Sequence, residues 1–531
     1  MRKRTTAIFM VLLLLFSGVV WRLYALAREG TAPAAEQQST LTVTPAKGRA
    51  AIYDRNRQQL VNKEVILASC VAPFPSTLTA LSQELPEEQW ASLSQRLSAG
   101  RPVTTVLPKL YPYIRGVWQY MTPKRYSGTV LAPHLIGYLD SEAAHGITGI
   151  EEALDAYFTA NTGQVSLTFT VDANGRALEG VEPTAQNTLN NTRAGVVLTI
   201  DSQVQYITQT VAARHMERGA VVVLEPATGR VLAMVSLPDF DPNDVAAVLE
   251  AEHAPLLNRA ISTYNCGSVF KIVTAAAALE SGLSAEQVFE CAGFAQTGDT
   301  SFACHNKLGH GELTMQNAFA QSCNPYFIQL AQSIGAKALY TQAAALGFDS
   351  AVLLAENYKT ARALLPSLGE LASSGELSNL AIGQGGLMAT PVHIAQLVAA
   401  VVNGGELVPA TVVQGFLDAE GAYAENDPTP ATRAFSVDTA TTLRAFMENA
   451  VLHGTGTTAK PDTGLAGGKT GTAETGWVED GVDVSQSWYA GFFETATCQY
   501  AIAIVGEDRN RTGVRAAPLF KELCEELAVL G

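Results

Sequence analysis

Two blocks of strand-forming sequence stand far apart in this chain, and a fold must either unite them or bury them separately. The first is GAVVVLEPATGRVLAMVS, Gly219 to Ser236, two β-branched runs joined by a turn at Pro226 to Gly229. The second comprises GGKTGTAE, SWYAGFF and YAIAIVGED, between Gly467 and Asp508. Helical segments fill the middle, from Val269 to about Asn403. Strands at both ends with helices between them predict one antiparallel sheet, assembled from distant segments and packed with helices, an α+β fold. Ahead of the first block, GVVLTIDSQVQYITQTVAARHM reads as a strand, Val196 to Ile200, then an amphipathic helix capped by Asp201 or Ser202.

The amino-terminal part reads differently. Arg2, Lys3 and Arg4 precede an apolar run, Ala7 to Trp21, broken only by Ser17 and Gly18. Counted from Thr5, this run reaches the short end of what a bilayer core requires, and the basic cluster predicts a cytoplasmic amino terminus. A cleaved signal peptide with Ala25-Leu26-Ala27 as its processing site is the alternative, and Arg22 sits badly with it. The expected organisation is a cytoplasmic stub (1–4), a transmembrane anchor (5–27), a linker (28–47), a strand-containing region (48–192) and a carboxyl-terminal domain (193–531). In the middle region, GRAAIYDRNRQQLV predicts two strands about a turn at Asp54 to Arg57, and VSLTFTVDANGRALEG a hairpin turning at Asp172 to Gly175. With 531 residues, 47% of them hydrophobic, the chain can bury more than one core, and a net charge of −15 argues against a nucleic-acid partner.

Three short motifs carry chemistry. In YNCGSVFKIVTAAAALESG, Ser268 and Lys271 are three residues apart and would share one face of a helix that Gly282 is placed to end. A serine hydroxyl becomes nucleophilic when a base removes its proton, and a lysine can serve if burial and a second cation lower its pKa. Alone, the pair reads equally well as a helix cap and a solvated lysine. In SCNPYFIQLAQSIG, Ser322 and Asn324 precede Pro325, which suits the first position of a helix, so Asn324 is also a candidate N-cap. In GGKTGTAE, Lys469, Thr470 and Thr472 suit a carboxylate, and Gly471 lets a ligand backbone approach a strand. A phosphate loop is excluded there, because its first glycine would have to stand at Thr463.

Seven cysteines are an odd number, so at least one has no intramolecular partner. Cys291 and Cys304 bracket a polar loop and would form the disulfide in an oxidising compartment. The adjacent CHNKLGH, with His305 and His310, matches no standard zinc spacing, so no metal is expected.

Together and in order, S-x-x-K, S-x-N and K-T-G resemble the signature of the serine β-lactamase and penicillin-binding protein superfamily. With GRAAIYDRN, HLIGYLD, GITGIEEALD, LTIDSQVQ, IGQGGLMATP and SWYAGFF, the chain resembles a class B penicillin-binding protein, a peptidoglycan D,D-transpeptidase, over nearly its whole length. The resemblance implies a β-lactamase/D,D-peptidase-like transpeptidase domain on a pedestal covering 48–192. By it, Ser268 would take the acyl group of a D-Ala-D-Ala stem peptide and Lys271 would accept its proton. Ser322 would relay a proton to the leaving amine, and Asn324 would hold the substrate amide. Lys469 would keep the field positive, while Thr470 and Thr472 bind the terminal carboxylate beside Gly471. The backbone N–H groups of Ser268 and Thr472 would make the oxyanion hole.

The resemblance further implies no cofactor, β-lactams and stem peptides as ligands, and a membrane glycan polymerase and cell-wall assembly proteins as partners. A D,D-carboxypeptidase, a β-lactamase-like hydrolase and a non-catalytic penicillin-binding scaffold or sensor are the alternatives. One departure is Cys266, where the family usually has proline before Gly-Ser. No glycosyltransferase domain is recognisable, so a bifunctional polymerase is not expected. Elongation, division and sporulation roles are not separated by these motifs.

Overall fold

The computed structural model describes residues 2–28, 39–189, 193–479, 481–508 and 516–530. The chain divides into two compact units. One contains residues 1–49, 64–124 and 162–192, the other 50–63, 125–161 and 193–531.

The smaller unit is built on strands. Thr40–Gly48 pairs antiparallel with Gly163–Thr170, which also pairs with Thr184–Asn187. Gly163–Thr170 alternates, with Val165, Leu167 and Phe169 inward, as a half-buried strand must. A second sheet sets Glu64–Val71 between Val103–Val106 and Val117–Lys124. Helices Pro75–Glu84 and Glu87–Leu97 add Leu81, Leu93 and Leu97 to a core around Val71. Thr40–Gly48 covers the last eight residues of the span expected as linker, 28–47, and residues 29–38 of that span lie outside the described residues. Asp172 Oδ1 accepts hydrogen bonds from the N–H groups of Asn174 and Arg176, making the expected turn. The chain does not return from it as a hairpin strand. A single bridge, Val171 to Ala177, forms, and the pairing strand comes later.

The amino terminus is one helix, Arg2–Arg28, on which the side chains from Phe9 to Phe16 are exposed. Among the described residues, no helix is long and apolar enough to cross a membrane. The anchor therefore rests on the sequence pattern.

Residues 50–63 and 125–161, inside the expected pedestal span, belong to the larger unit for identifiable reasons. Ala51–Tyr53 pairs in parallel with Gly195–Leu198. Arg125 donates to the fully buried Glu151 at 2.6 Å and to the carbonyl of Ala50 at 2.7 Å, so a buried charge pair ties these segments together. After Asp54 the expected second strand shrinks to one bridge, Tyr53 to Gln59, because Asp54 Oδ1 draws in the N–H groups of Asn56 and Gln58.

The larger unit carries the predicted antiparallel sheet. Its strands are β1 (Gly219–Glu225), β2 (Arg230–Leu237), β3 (Leu465–Glu479), β4 (Val482–Glu494) and β5 (Gln499–Asp508). Their spatial order is β2-β1-β5-β4-β3, so the last strand in sequence joins the two blocks and β3 is an edge. Successive side chains feed two cores. Val222, Leu224, Ala503, Val505, Trp488 and Phe492 face one, and Val221, Val223, Ile502, Ile504, Tyr489 and Phe493 face the other.

Six helices matter here: α1 (Ser202–His215), α2 (Lys271–Glu280), α3 (Asn324–Ile334), α4 (Pro391–Val402), α5 (Val437–His453) and α6 (Ala516–Ala528). Asp201 caps α1, accepting from the N–H groups of Gln203 and Val204. α4 is buried on every side from Pro391 to Val401 and packs on the sheet's first face. It is opened by a capping box between Thr390 and His393. α1 and α6 cover the second face. The predicted helical middle contains exceptions: four short strands between Phe289 and Leu313, and two more, Leu353–Ala355 and Tyr358–Lys359.

Candidate active site

Ser268 stands in a single 3₁₀ turn, Gly267–Phe270, from which α2 continues at Lys271. The expectation of a serine at a helix start thus holds with a tighter first turn. Gly267 has φ +57°, and a Cβ there would lie 2.6 Å from the carbonyl oxygen of Thr472. Only glycine lets this turn approach the edge strand so closely. Gly471 meets the same constraint from the strand side, since a Cβ on it would lie 3.2 Å from the Val269 nitrogen.

The three motifs converge. Lys271 Nζ donates to Ser268 Oγ at 3.0 Å, Ser322 Oγ at 3.2 Å, the Ser322 carbonyl at 2.8 Å and Asn324 Oδ1 at 2.6 Å. Lys469 Nζ donates to Ser322 Oγ at 2.9 Å and to the Thr470 carbonyl at 2.9 Å. Ser322 Oγ is therefore shared by the two lysines. Asn324 does not cap α3. Its Oδ1 is taken by Lys271, its Nδ2 reaches the Ala303 carbonyl at 3.4 Å, and Cys323 occupies the cap position without a side-chain cap bond. The helix begins one residue earlier than expected, with Asn324 first and Pro325 second in its opening turn. Ser322 adopts φ +53°, the left-handed region that a non-glycine residue enters at a cost of about 1–3 kcal/mol, characteristic of functional sites.

Electrostatics follows from burial. Both lysine side chains are fully buried. Burial lowers the Lys271 ammonium to about 7, against an opposing pull from Cys323 and Cys304. Burial also takes Lys469 well below its usual value, and the Lys271 charge lowers it further. Near neutral pH the site therefore holds a free amine able to accept a proton beside a half-buried hydroxyl. Among the described residues, no carboxylate joins this cluster through a hydrogen bond.

Thr470 and Thr472 lie on β3 opposite Tyr489 and Ser487 of β4. Thr472 is exposed, and Thr470 Oγ1 is 2.8 Å from Thr455 Oγ1, a partner that no sequence motif signalled. Trp488 Nε1 donates to the Asn265 carbonyl at 2.8 Å, fixing the approach to the serine turn. Gly383, within the IGQGG stretch, was a second omission. Its carbonyl accepts from the Gly267 N–H at 2.8 Å, its φ is +76°, and a Cβ on it would overlap the Gly267 carbonyl oxygen. Gly383→Ala is expected to combine left-handed strain of about 1–2 kcal/mol with overpacking of about 1–3 kcal/mol. It should lower the thermal midpoint and slow penicillin acylation together. An unchanged midpoint and rate would show that the turn does not depend on this contact.

Cys291 and Cys304 do not form the expected disulfide, and the described cysteines are all free thiols.

The family described as "Penicillin binding protein transpeptidase domain" matches residues 219–525. Penicillin-binding protein PbpB of Mycolicibacterium smegmatis is 30% identical over 431 residues, covering 76% of this chain and 64% of that protein. Peptidoglycan D,D-transpeptidase PbpA of the same organism is 32% identical over 333 residues, covering 57% and 65% respectively. The chain thus spans just under two thirds of these relatives. Among solved structures, penicillin-binding protein 3 of Mycobacterium tuberculosis complexed with aztreonam is similar, with a TM-score of 0.68 and 25% identity. The match covers 92% of this chain and 97% of that one.

Proposed function

Because the chain belongs to the class B penicillin-binding proteins and carries their transpeptidase domain, we propose that it cross-links peptidoglycan by acyl transfer through Ser268. One observation carries this reading. Three segments distant in sequence place Ser268, Lys271, Ser322 and Lys469 in one hydrogen-bonded cluster.

The steps follow from that cluster. Ser268 Oγ attacks the carbonyl of the penultimate D-Ala of a stem peptide, and neutral Lys271 takes the hydroxyl proton. The oxyanion forms between the Ser268 turn and the edge strand, where the backbone N–H groups of Ser268 and Thr472 would receive it. Ser322, hydrogen-bonded to both lysines, passes a proton to the departing D-Ala nitrogen as the C–N bond breaks. A second stem-peptide amine then attacks the ester, loses its proton to the same relay and restores Ser268. An extended donor peptide can lie along β3, whose outer edge pairs with no other strand among the described residues. Thr470 and Thr472 hold its terminal carboxylate. Among the described residues no carboxylate base is hydrogen-bonded to the cluster, which supports amine transfer over hydrolysis, because rapid deacylation by water needs a positioned base.

The basic Arg2, Lys3 and Arg4 and the exposed apolar side chains after them support a single-pass anchor with the catalytic unit outside the cytoplasm. Membrane glycan polymerases and cell-wall assembly proteins are the partners this placement suits. Intact-protein mass spectrometry of the membrane fraction after penicillin treatment tests both points. The expected result is one long-lived adduct per chain. Rapid loss of the adduct would favour a hydrolase, and an adduct confined to the soluble fraction would remove the anchor.

A further inference from the structure

The catalytic cluster leaves unused a set of sulfur and imidazole groups gathered by the four short strands. Cys291, Cys304, His310 and Cys323 each offer one ligand atom, and these atoms all lie within 4.8 Å of one another. Cys304 Sγ is 3.5 Å from His310 Nδ1. Around tetrahedral zinc, with bonds of about 2.3 Å to sulfur and about 2.0 Å to nitrogen, neighbouring ligands stand about 3.5–3.8 Å apart. An ion would draw this set together by roughly an ångström. We propose that Cys291, Cys304, His310 and Cys323 hold a structural zinc ion that fixes the Ser322–Asn324 turn.

The donor chemistry selects the ion. Three thiolates and one imidazole are soft, oxygen-free ligands in the Cys₃His set of closed structural zinc sites, and they offer nothing to calcium or magnesium. The three cysteines are buried and His310 is half-buried.

The backbone is shaped for the same end. Cys291 closes strand Phe289–Cys291, Cys304 follows the hairpin of Phe294–Thr297 and Thr300–Ala303, and His310 precedes strand Gly311–Leu313. The Cys304 N–H donates to the Gly293 carbonyl at 2.8 Å and the His310 N–H to the Cys291 carbonyl at 3.0 Å. Gly293 (φ +91°) and Gly309 (φ +79°) pack so closely that a Cβ would overlap the carbonyl oxygens of Lys307 and Cys291. The ligand spacing C-x12-C-x5-H-x12-C spreads the donors over several elements, which is why CHNKLGH alone looked unlike a metal motif.

The site reaches the chemistry through Cys323. That residue stands between Ser322, held at φ +53°, and Asn324, which accepts from Lys271. A metal bond at Cys323 anchors the strained turn whose hydroxyl bridges Lys271 and Lys469. The site is thus a positioning device for acylation, and this part of the inference rests on the transpeptidase reading above.

Metal content and acylation are measured separately on the full chain, purified under reducing conditions. The expected result is one zinc per chain by elemental analysis. Exchange for Co²⁺ should give the thiolate-to-cobalt charge-transfer band and tetrahedral visible bands. His310→Ala should lose the metal and acylate about a hundred-fold more slowly, as a misplacement near 1 Å produces. His310→Cys should keep both the zinc and the rate, a rescue that loss of packing would not give. Wild-type protein without zinc, with iron in its place, or with a Cys291–Cys304 disulfide would overturn the site. Zinc lost from His310→Ala with acylation unchanged would overturn its positioning role. Because metal content is read without any β-lactam, the zinc site can fail while acyl transfer stands, and the reverse.

Discussion

Ser268→Ala is expected to abolish covalent labelling by a fluorescent penicillin while leaving the protein folded. The substitution removes one oxygen, the atom assigned to the acyl bond. Lys271 then loses one acceptor but keeps the Ser322 carbonyl, Ser322 Oγ and Asn324 Oδ1, so its buried Nζ is not left without partners. The half-buried Ser268 side chain fills little core, and its removal should shift stability by no more than about 1 kcal/mol. Labelling is read on a gel and folding by thermal unfolding. Persistent labelling of the variant at the wild-type rate would refute the assignment of Ser268.

The second large effect falls on Lys271→Met. Methionine fills a similar volume without charge, so the buried site beside Phe327 survives while the base disappears. Acylation should slow by about 10²–10⁴-fold, the range of general base catalysis. The pH dependence separates this from a packing defect. Burial disfavours the ammonium and lowers Lys271 to about 7, so the neutral amine, the reactive form, dominates above that pH. The wild-type acylation rate should rise with pH through an inflection near 7 and fall about tenfold per unit below it. In Lys271→Met that inflection should vanish. A variant retaining both the rate and the inflection would assign the proton to another group, and Lys469 would be the first to test.

The sequence disclosed the site well because its parts obey local rules. Ser268 and Lys271 are one helical turn apart, Pro325 marks the start of α3, and Gly471 breaks an otherwise regular strand. The two-faced alternation of β1 and β5 is likewise a property of consecutive residues. What escaped detection depends on contacts between remote segments. Gly383 matters because another turn's carbonyl lies against it, and Thr455 because it meets Thr470 across a strand. Thr40–Gly48, nearly all of it in the span expected as linker, is a strand whose partner lies more than a hundred residues away. The gathering of the four sulfur and imidazole donors is equally invisible in the sequence, since they come from a strand end, two loops and a helix cap. Its zinc is a question of assembled geometry, and pair spacing cannot express that.

The position of β5 has one further implication, for how the enzyme is made. The strand that unites the two halves of the sheet leaves the ribosome after the other four strands. Until it arrives, the early hairpin of β1 and β2 has an unpaired edge, and the serine turn has no completed wall to press against. Synthesis therefore carries a long interval in which a sticky, half-built sheet must be kept from pairing with its neighbours. A chain cut short before Gln499 would hold every motif that names the activity and yet have no pocket in which to perform it.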